Sequence, residues 1–243
     1  GFTDLPAART LTDATAAFEA AATAARELRH VGVNLNFAPV LDVDSNPANP
    51  IMGDRSFGSD PAHVASLGTS FVRGLQRHGV AACGKHFPGH GDTSLDSHLD
   101  LPRVSHDRAR LEAVEWPPFR AAIAAGVAAI MTAHVVYDAI DPGVPATMSR
   151  VLLEGTLRGE MGYEGVIVSD DLDMKAISDH YEAGEAAVRA IEAGVDLILC
   201  CRNPAHRDAA HQAIAQAIAS GRLSNDRVEA SLARIRNLAR QFG

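Results

Sequence analysis

The stretch Gly165-Val166-Ile167-Val168-Ser169-Asp170-Asp171-Leu172 decides the fold, because it joins a short apolar run directly to two carboxylates. An apolar run without polar alternation is typical of a strand that is buried on both faces of a parallel sheet. Residues that follow such a strand lie at its carboxyl end, where α/β folds build their sites. The stretch therefore predicts a core strand and, at Asp170, a functional position.

Similar apolar runs occur at four other places in the chain, and amphipathic stretches separate them. The other predicted strands are Val33 to Ala38, Val80 to Lys85, Val127 to Ala133 and Val195 to Cys200. The predicted crossover helices are Pro61 to Arg77, Asp107 to Ala125, Arg150 to Met161 and Ala183 to Ala193. Further helices are expected over Asp13 to Arg29 and Asp226 to Gln241. The alternation of strands with helices predicts a parallel α/β sheet.

The fold class that fits this alternation is a (β/α)8 barrel of the TIM type, with about five of its eight units present. We expect one domain over residues 1–243, because barrels of this length are commonly a single domain. An open sheet is the alternative, and we favour a barrel that lacks about three strands. The dipeptides Asp60-Pro61 and Asn203-Pro204 predict helix starts, since each places a capping side chain before a first-turn proline.

Charge and composition exclude several classes of partner. The chain has 243 residues and a formal net charge of −8, whereas a surface for nucleic acid or anionic membrane needs clustered Lys and Arg. No apolar run reaches the roughly 18 residues of a membrane span. Cys83, Cys200 and Cys201 lie in apolar runs and are expected to be small core residues. A neutral partner fits this composition best.

The densest chemical signal is the loop from Lys85 to His98, with three His, two Asp and two Gly in fourteen residues. Its glycines let the backbone turn tightly and approach a ligand. Asp96 and His98 are two residues apart, so in an extended loop they can point to the same side. A carboxylate beside an imidazole forms a proton-transfer unit, in which the carboxylate orients the ring and stabilises its charged form.

Asp170 suits attack on the anomeric carbon of a sugar, which needs an ionised carboxylate beside a protonated acid. The common retaining pair is two carboxyl groups about 5–5.5 Å apart, so an acid formed by His and Asp would be a variant. A helix cap is the structural alternative for Asp170, although Asp171 and Asp173 suit that role better. His134, after the third strand, either contacts a ligand or closes a hydrogen bond within the rim.

The run from Lys85 to His98, together with Ser169-Asp170-Asp171-Leu172, closely resembles the bacterial β-N-acetylglucosaminidases of glycoside hydrolase family three. The resemblance extends through Phe37 to Val43, Asp54 to Phe57 and Met131 to Val135, and it covers nearly the whole chain. Other branches of that family, such as the β-glucosidases, usually carry Ser-Asp-Trp at the nucleophile and lack the Asp-Ser-His loop. The resemblance therefore favours an aminosugar substrate.

The resemblance implies a role for each of six residues. The catalytic set comprises the nucleophile Asp170, the acid/base His98 and its partner Asp96. The set that would hydrogen-bond the sugar hydroxyls comprises Arg55, Lys85 and His86. The implied activity is a retaining exo-hydrolase, which releases terminal β-linked N-acetylglucosamine from peptidoglycan-derived or chitin-type oligosaccharides. No cofactor or metal is implied.

Several alternatives stay open. His86, His90, Asp92 and His98 are plausible zinc ligands, which would indicate a metal-dependent hydrolase. The His and Asp side chains of the loop could also serve only to satisfy backbone groups. For Lys85 and Arg55, the structural alternative is a buried ion pair with a carboxylate such as Asp42.

The resemblance also has a departure. Family members carry an Asp-Gln-Glu-Gly-Gly-Arg segment after about three further strands, and that segment is absent here. We therefore expect this chain to be part of a longer enzyme that lacks its N-terminal strands. A non-catalytic sugar-binding fragment, another family-three β-glycosidase and a glycosyl phosphorylase stay open as alternative functions. The phosphorylase is included because a His acid/base carries less negative charge than a carboxylate and would admit phosphate.

Overall fold

The computed structural model describes residues 1–49, 51–93 and 101–243. Its strands are β1 (Leu35–Asn36), β2 (Ala81–Phe87), β3 (Arg103–Val104), β4 (Ala129–Thr132), β5 (Val136–Tyr137), β6 (Val166–Asp171) and β7 (Leu197–Leu199). Five of them form one parallel sheet in the order β1-β2-β4-β6-β7, which curls into half of a barrel. The prediction of a TIM-type α/β fold with five β/α units is confirmed. The strands β3 and β5 form a separate parallel pair.

Helical segments lie close to each predicted helical stretch, and the short helix at Lys175–Ser178 had no predicted counterpart. The helices are α1 (Ala14–His30), α2 (Pro61–Arg77), α3 (Arg108–Arg110), α4 (Trp116–Ala124), α5 (Lys175–Ser178), α6 (Ala183–Ala193), α7 (Pro204–Ala219) and α8 (Asn225–Phe242). Both predicted caps are confirmed, since Asp60 accepts from the N–H of Ala62 at 3.1 Å and Asn203 from that of Ala205 at 3.0 Å. The cap at Asn203 begins α7, whose extent the apolar pattern did not predict.

Three local features differ from the sequence prediction. The segment Val151–Glu160 is a π-helix, and Leu111–Glu115 is a second π-helical segment between α3 and α4. Apolar spacing fits either kind of helix, so it did not separate them. The ladder of β1 is only two residues long because the chain soon reaches Pro39, which lacks an N–H. The chain nevertheless continues beside β2, with the N–H of Lys85 donating to the carbonyl of Pro39 at 3.1 Å.

The core lies on both faces of the central strands. β2, β4 and β6 are almost wholly buried, with Trp116, Phe119 and the aliphatic side chains of the helices packed around them. Cys83 is a buried core residue as predicted, but Cys200 is half-buried and Cys201 is exposed, because β7 ends at Leu199. No helix in the described ranges has the length and apolar character needed to cross a membrane.

A buried carboxylate ties the amino-terminal end of the sheet to the helices. Asp196 immediately precedes β7, and its side chain is fully buried. It accepts hydrogen bonds from the guanidinium groups of Arg158 at 2.7 Å and Arg234 at 2.9 Å, from Arg227 at 3.3 Å and from the hydroxyl of Ser231 at 2.6 Å. This cluster holds α8 and the π-helix against the sheet, at the end that carries none of the predicted site residues.

Candidate active site

The polar residues singled out in the sequence lie where neighbouring parallel strands end. Asp170 is in the last pair of residues of β6, Lys85 and His86 lie near the end of β2, and His134 follows β4. Because the carboxyl ends of parallel strands meet at one edge of a sheet, these side chains share one rim. The rim is the candidate active site.

Asp42 is the buried centre of this rim. Its carboxylate accepts hydrogen bonds from the backbone N–H of His86 at 3.1 Å, from that of His90 at 2.7 Å and from Nδ1 of His86 at 2.7 Å. Burial alone would raise the pKa of Asp42, but the His86 ring and these hydrogen bonds outweigh it and lower the pKa. Asp42 is therefore ionised, and it fixes both the His86 ring and the loop that follows.

The loop after β2 approaches the segment after β1 very closely. A Cβ atom at Gly91 would lie 1.7 Å from the carbonyl oxygen of Val43, so only glycine allows this contact. The amide of Asn49 donates to the carbonyls of His90 and Gly91, both at 3.0 Å. Nδ1 of His90 lies 2.7 Å from Oγ1 of Thr93, and burial lowers the pKa of His90 to about 4. His90 is therefore a neutral part of the packed loop.

Asp170 is the partly exposed carboxylate of the rim. Its side chain is 22% exposed, and Oδ2 lies 4.0 Å from Nε2 of His86. Oδ1 accepts from the N–H of Asp171 at 2.8 Å. Burial would raise the pKa of Asp170, but His86, that N–H and Lys85 together lower it. An ionised, oriented and accessible carboxylate has the properties of a nucleophile.

His134 closes a hydrogen-bond network within the rim, which decides between the two roles left open for it. Its Nε2 donates to the carbonyl of Asp171 at 3.1 Å, so Nδ1, 2.8 Å from Oγ1 of Thr147, is the acceptor in the neutral ring. Burial lowers the pKa of His134, which keeps the ring neutral. His134 thus supports the backbone next to Asp170.

Neither Lys85 nor Arg55 forms an ion pair with Asp42 or with another carboxylate of residues 1–49, 51–93 and 101–243, contrary to the structural alternative. The oxygens of Asp42 are bound to His86 and His90. Within the described ranges, the ammonium of Lys85 has no hydrogen bond or ion pair. Burial lowers the pKa of Lys85, against the charge of Asp170. Arg55 is exposed and donates Nη2 to the carbonyl of Ile51 at 3.0 Å, and its charge also acts on Lys85.

The residues proposed as zinc ligands have other partners. His86 contacts Asp42, His90 contacts Thr93, and Asp92 is hydrogen-bonded to Nε2 of His106. Across residues 1–49, 51–93 and 101–243, no group of three or more His, Cys, Asp or Glu side chains is placed to hold a metal ion. The predicted acid/base His98 and its partner Asp96 lie outside the described residues.

Asp171 and Asp173 do not cap the helix that follows them, contrary to the sequence prediction. Helix α5 begins after Met174, which has no side chain that accepts from it. Asp171 instead accepts from the N–H of Cys201 at 3.0 Å, and Asp173 from that of Arg202 at 2.7 Å. Both carboxylates bind the connection between β7 and α7, which lies alongside in the sheet but about thirty residues away in sequence.

The sequence indicated Asp42 only as a possible partner of Lys85 and Arg55. Its actual donors are 44 and 48 residues away in the chain, and only the register of β2 beside the preceding segment brings them together. Asn49 and Thr147 carried no motif that would have marked them. The one signal in the sequence was an acidic residue within an otherwise apolar stretch. That signal identifies Asp42 but neither Asn49 nor Thr147.

The chain is similar to known proteins over most of its length. The model of the glycosyl hydrolase family 3 N terminal domain matches residues 1–238. Beta-hexosaminidase A of Pseudoalteromonas piscicida is 41% identical over 231 residues, which cover 88% of this chain and 39% of that protein. Beta-hexosaminidase of Alkalilimnicola ehrlichii is 46% identical over 180 residues, or 74% of this chain and 51% of that protein. The chain thus spans about half the length of the curated relatives it matches.

A solved structure shows the same fold. The glycoside hydrolase family 3 beta-N-acetylglucosaminidase from Paenibacillus sp. str. FPU-7 superposes with a TM-score of 0.95 and 51% sequence identity. The superposition covers 98% of this chain and 45% of that one. The five-stranded sheet and its helices therefore correspond to a part of that larger structure.

The Asp42 contacts predict a large and pH-dependent loss of stability in Asp42→Asn. Because the amide replaces an ionised oxygen among three buried donors, we expect the free energy of unfolding to fall by roughly 3–5 kcal/mol at pH 7. The folded pKa of Asp42 is lowered, so its stabilisation is complete above the unfolded pKa of about 3.9. It is lost as the pH falls, and the difference between wild type and variant should then shrink. Urea unfolding from pH 7 to pH 3 measures this difference.

Asp54→Asn is the matched control, because Asp54 is exposed in the turn Gly53–Arg55 of the same connection. It should change the free energy of unfolding by less than about 0.5 kcal/mol. Equal stability of the two variants at pH 7 would show that Asp42 does not hold the rim together.

Proposed function

The chain belongs to glycosyl hydrolase family 3, and from this premise we propose that it acts as an exo-β-N-acetylglucosaminidase. Its substrates would be peptidoglycan-derived or chitin-type oligosaccharides with a terminal β-linked N-acetylglucosamine at the non-reducing end. The observation that carries the proposal is the Asp170 carboxylate, ionised and partly exposed at the end of β6 beside His86. The names of the relatives, beta-hexosaminidase and beta-N-acetylglucosaminidase, support the choice of sugar.

The proposed mechanism is retaining and has two steps. In the first, an oxygen of Asp170 bonds to the anomeric carbon while the bond from that carbon to the leaving oxygen breaks, and His98 donates its proton to the leaving oxygen. In the second, water attacks the same carbon, its proton passes to His98, and the bond to Asp170 breaks. Asp96 would hold the His98 ring in place in both steps. No metal takes part in either.

The described residues supply what the first step needs from the protein. The lowered pKa of Asp170 keeps the nucleophile ionised. His134 donates to the backbone carbonyl of Asp171, and Asp42 holds the His86 ring. The Asp170 carboxylate therefore lies beside side chains whose positions are fixed by hydrogen bonds. Lys85, whose ammonium has no other partner in the described ranges, is available to the sugar hydroxyls. Arg55 and His86 complete the proposed sugar-binding set, and their binding energy would orient the sugar for attack.

We also propose that residues 1–243 form one barrel-type domain that needs about three further strands to close. The support is the sheet itself, in which β1 and β7 form two edges and are only half-buried. Closure would cover both edges and complete the sugar site from the other side.

The test of the function is release of nitrophenol from p-nitrophenyl N-acetyl-β-glucosaminide and from the corresponding glucoside. The assay uses the chain itself and a version extended by the three β/α units. We expect preference for the aminosugar, and loss of at least ~10³-fold in kcat for Asp170→Ala with ligand binding retained. Asp179→Ala, exposed and without side-chain partners in the described part of the chain, should keep wild-type kcat.

Each other outcome removes part of the proposal. Activity only on the glucoside would overturn the choice of sugar, and full activity of Asp170→Ala would remove Asp170 from the mechanism. Binding of N-acetylglucosamine without turnover by either version would favour a non-catalytic role. A rate that depends on added phosphate would indicate a phosphorylase.

The role of His98 predicts a dependence on the leaving group. His98→Ala removes the proton donor, so kcat should fall by ~10²–10⁴-fold on chitobiose, whose leaving oxygen needs protonation. Nitrophenolate leaves without a proton, so the loss on the aryl glycoside should be much smaller in the first step. Pre-steady-state rates on both substrates make the comparison, and equal losses would exclude His98 as the acid.

A further inference from the structure

The loop His86–Thr93 rests on a second set of buried contacts, made at Gly89. A Cβ atom at Gly89 would lie 2.8 Å from Cβ and 2.9 Å from Cγ of Glu115, so the glycine packs directly on the stem of this side chain. The hydroxyl of Tyr137, which is fully buried, donates to the carbonyl of Gly89. The N–H of Gly89 donates to the carbonyl of His86 at 2.8 Å. Glu115 and Tyr137 are thus one turn of backbone away from the His86 ring.

Glu115 is buried in a way that suits an uncharged carboxyl group. The residue is 2% exposed and lies at the end of the π-helical segment Leu111–Glu115. Its Oε1 receives Nε and Nη2 of Arg110, both at 3.3 Å, while Oε2 is buried and has no hydrogen-bond partner in the described parts of the chain. A buried carboxylate normally accepts good hydrogen bonds at both oxygens, whereas this one accepts only two long hydrogen bonds, both from Arg110.

We propose that Glu115 is a positioning residue, which supports the His86–Thr93 loop in its active form while its carboxyl group is uncharged and lowers turnover when it ionises. The inference rests on the proposed function for its effect on turnover. The claim that Glu115 supports the loop does not depend on that function, because it is argued only from the contacts of Gly89.

The charged groups around Glu115 indicate how ionisation would act. Burial raises the pKa of Glu115, against the charge of Arg110 and that of His106. The carboxylates of Asp42 and Asp92 act together with Glu115 on the buried Tyr137, whose pKa is raised first by burial and then by all three. The carboxylates of Asp42 and Asp92 would therefore repel a negative charge at Glu115 away from the loop His86–Thr93.

Arg110 offers the ionised side chain another position. It is 35% exposed, so a carboxylate drawn towards it would also gain contact with water. That movement would take the stem of Glu115 away from Gly89. Since Gly89 is hydrogen-bonded to the carbonyl of His86, the change would reach the ring that lies 4.0 Å from Asp170.

The first test compares kcat against pH for wild type, Glu115→Gln, Glu115→Ala and Glu112→Gln. Glutamine keeps the stem and the neutral form, so we expect kcat within about threefold of wild type at acid pH and a descending alkaline limb displaced to higher pH. Alanine removes the support, so kcat should fall about tenfold while KM changes little. Glu112, exposed on the same π-helical segment and paired with Arg108, is the matched control and should leave the profile unchanged.

The second test needs no turnover, because Trp116 is the only tryptophan in the chain and directly follows Glu115. Its indole is fully buried. We expect its emission to change with pH as Glu115 ionises, in wild type and Glu112→Gln but not in Glu115→Gln. The transition should coincide with the alkaline limb of kcat.

The outcomes separate this inference from the proposed function. An alkaline limb of kcat and an emission transition that are both unchanged in Glu115→Gln would overturn the inference, even if the variants lower the melting temperature. If the protein binds N-acetylglucosamine without turnover, the proposed function fails, and the emission of Trp116 against pH is compared in the same four proteins. An emission transition that is unchanged in Glu115→Gln would then overturn the inference.

Discussion

The rim depends on one buried interaction, the carboxylate of Asp42 with the backbone at the end of β2 and in the loop that follows it. A fully buried carboxylate must find hydrogen-bond donors, and here two of them are the N–H groups of His86 and His90. The third is the His86 ring, which is thereby held with Nε2 towards Asp170. The position of the proposed nucleophile relative to its nearest imidazole therefore follows from the need to satisfy a charge in the core.

The same constraint explains the composition of the loop. The approach to the Asp42 segment leaves no room for a side chain at Gly91, and the contact with Glu115 leaves none at Gly89. The two glycines, which in the sequence indicated only a tight turn, are required by two different neighbours. A second buried carboxylate, Asp196, ties the opposite end of the strands to the helices through its arginine cluster. The two ends of the sheet are thus each held by one buried and fully bonded carboxylate.

Prediction from the sequence succeeded where the signal was local. The buried central strands β2, β4 and β6, the caps at Asp60 and Asn203 and the position of Asp170 at a strand end all follow from neighbouring residues, and the structure has each of them. The edge strands β1 and β7 were also expected to be buried on both faces, but they are only half-buried. The partners of Asp42, Asp171 and Asp173 were missed, because each is decided by which strands lie side by side. The π-helical segments were missed because apolar spacing does not distinguish them. The role of Glu115 depends on its contact with Gly89, 26 residues earlier in the chain, which no sequence pattern indicates.

The central claim is that Asp170 forms a covalent bond with the sugar, and trapping that bond tests it most directly. The protein, extended as in the activity assay, would be mixed with 5-fluoro-N-acetyl-β-glucosaminyl fluoride, which forms the glycosyl-enzyme faster than it is hydrolysed, and analysed by intact-mass spectrometry and peptide mapping. The account predicts one added fluorinated N-acetylglucosaminyl group per chain, on the peptide that contains Asp170. Release of fluoride without an adduct, or an adduct on any other residue, would contradict it.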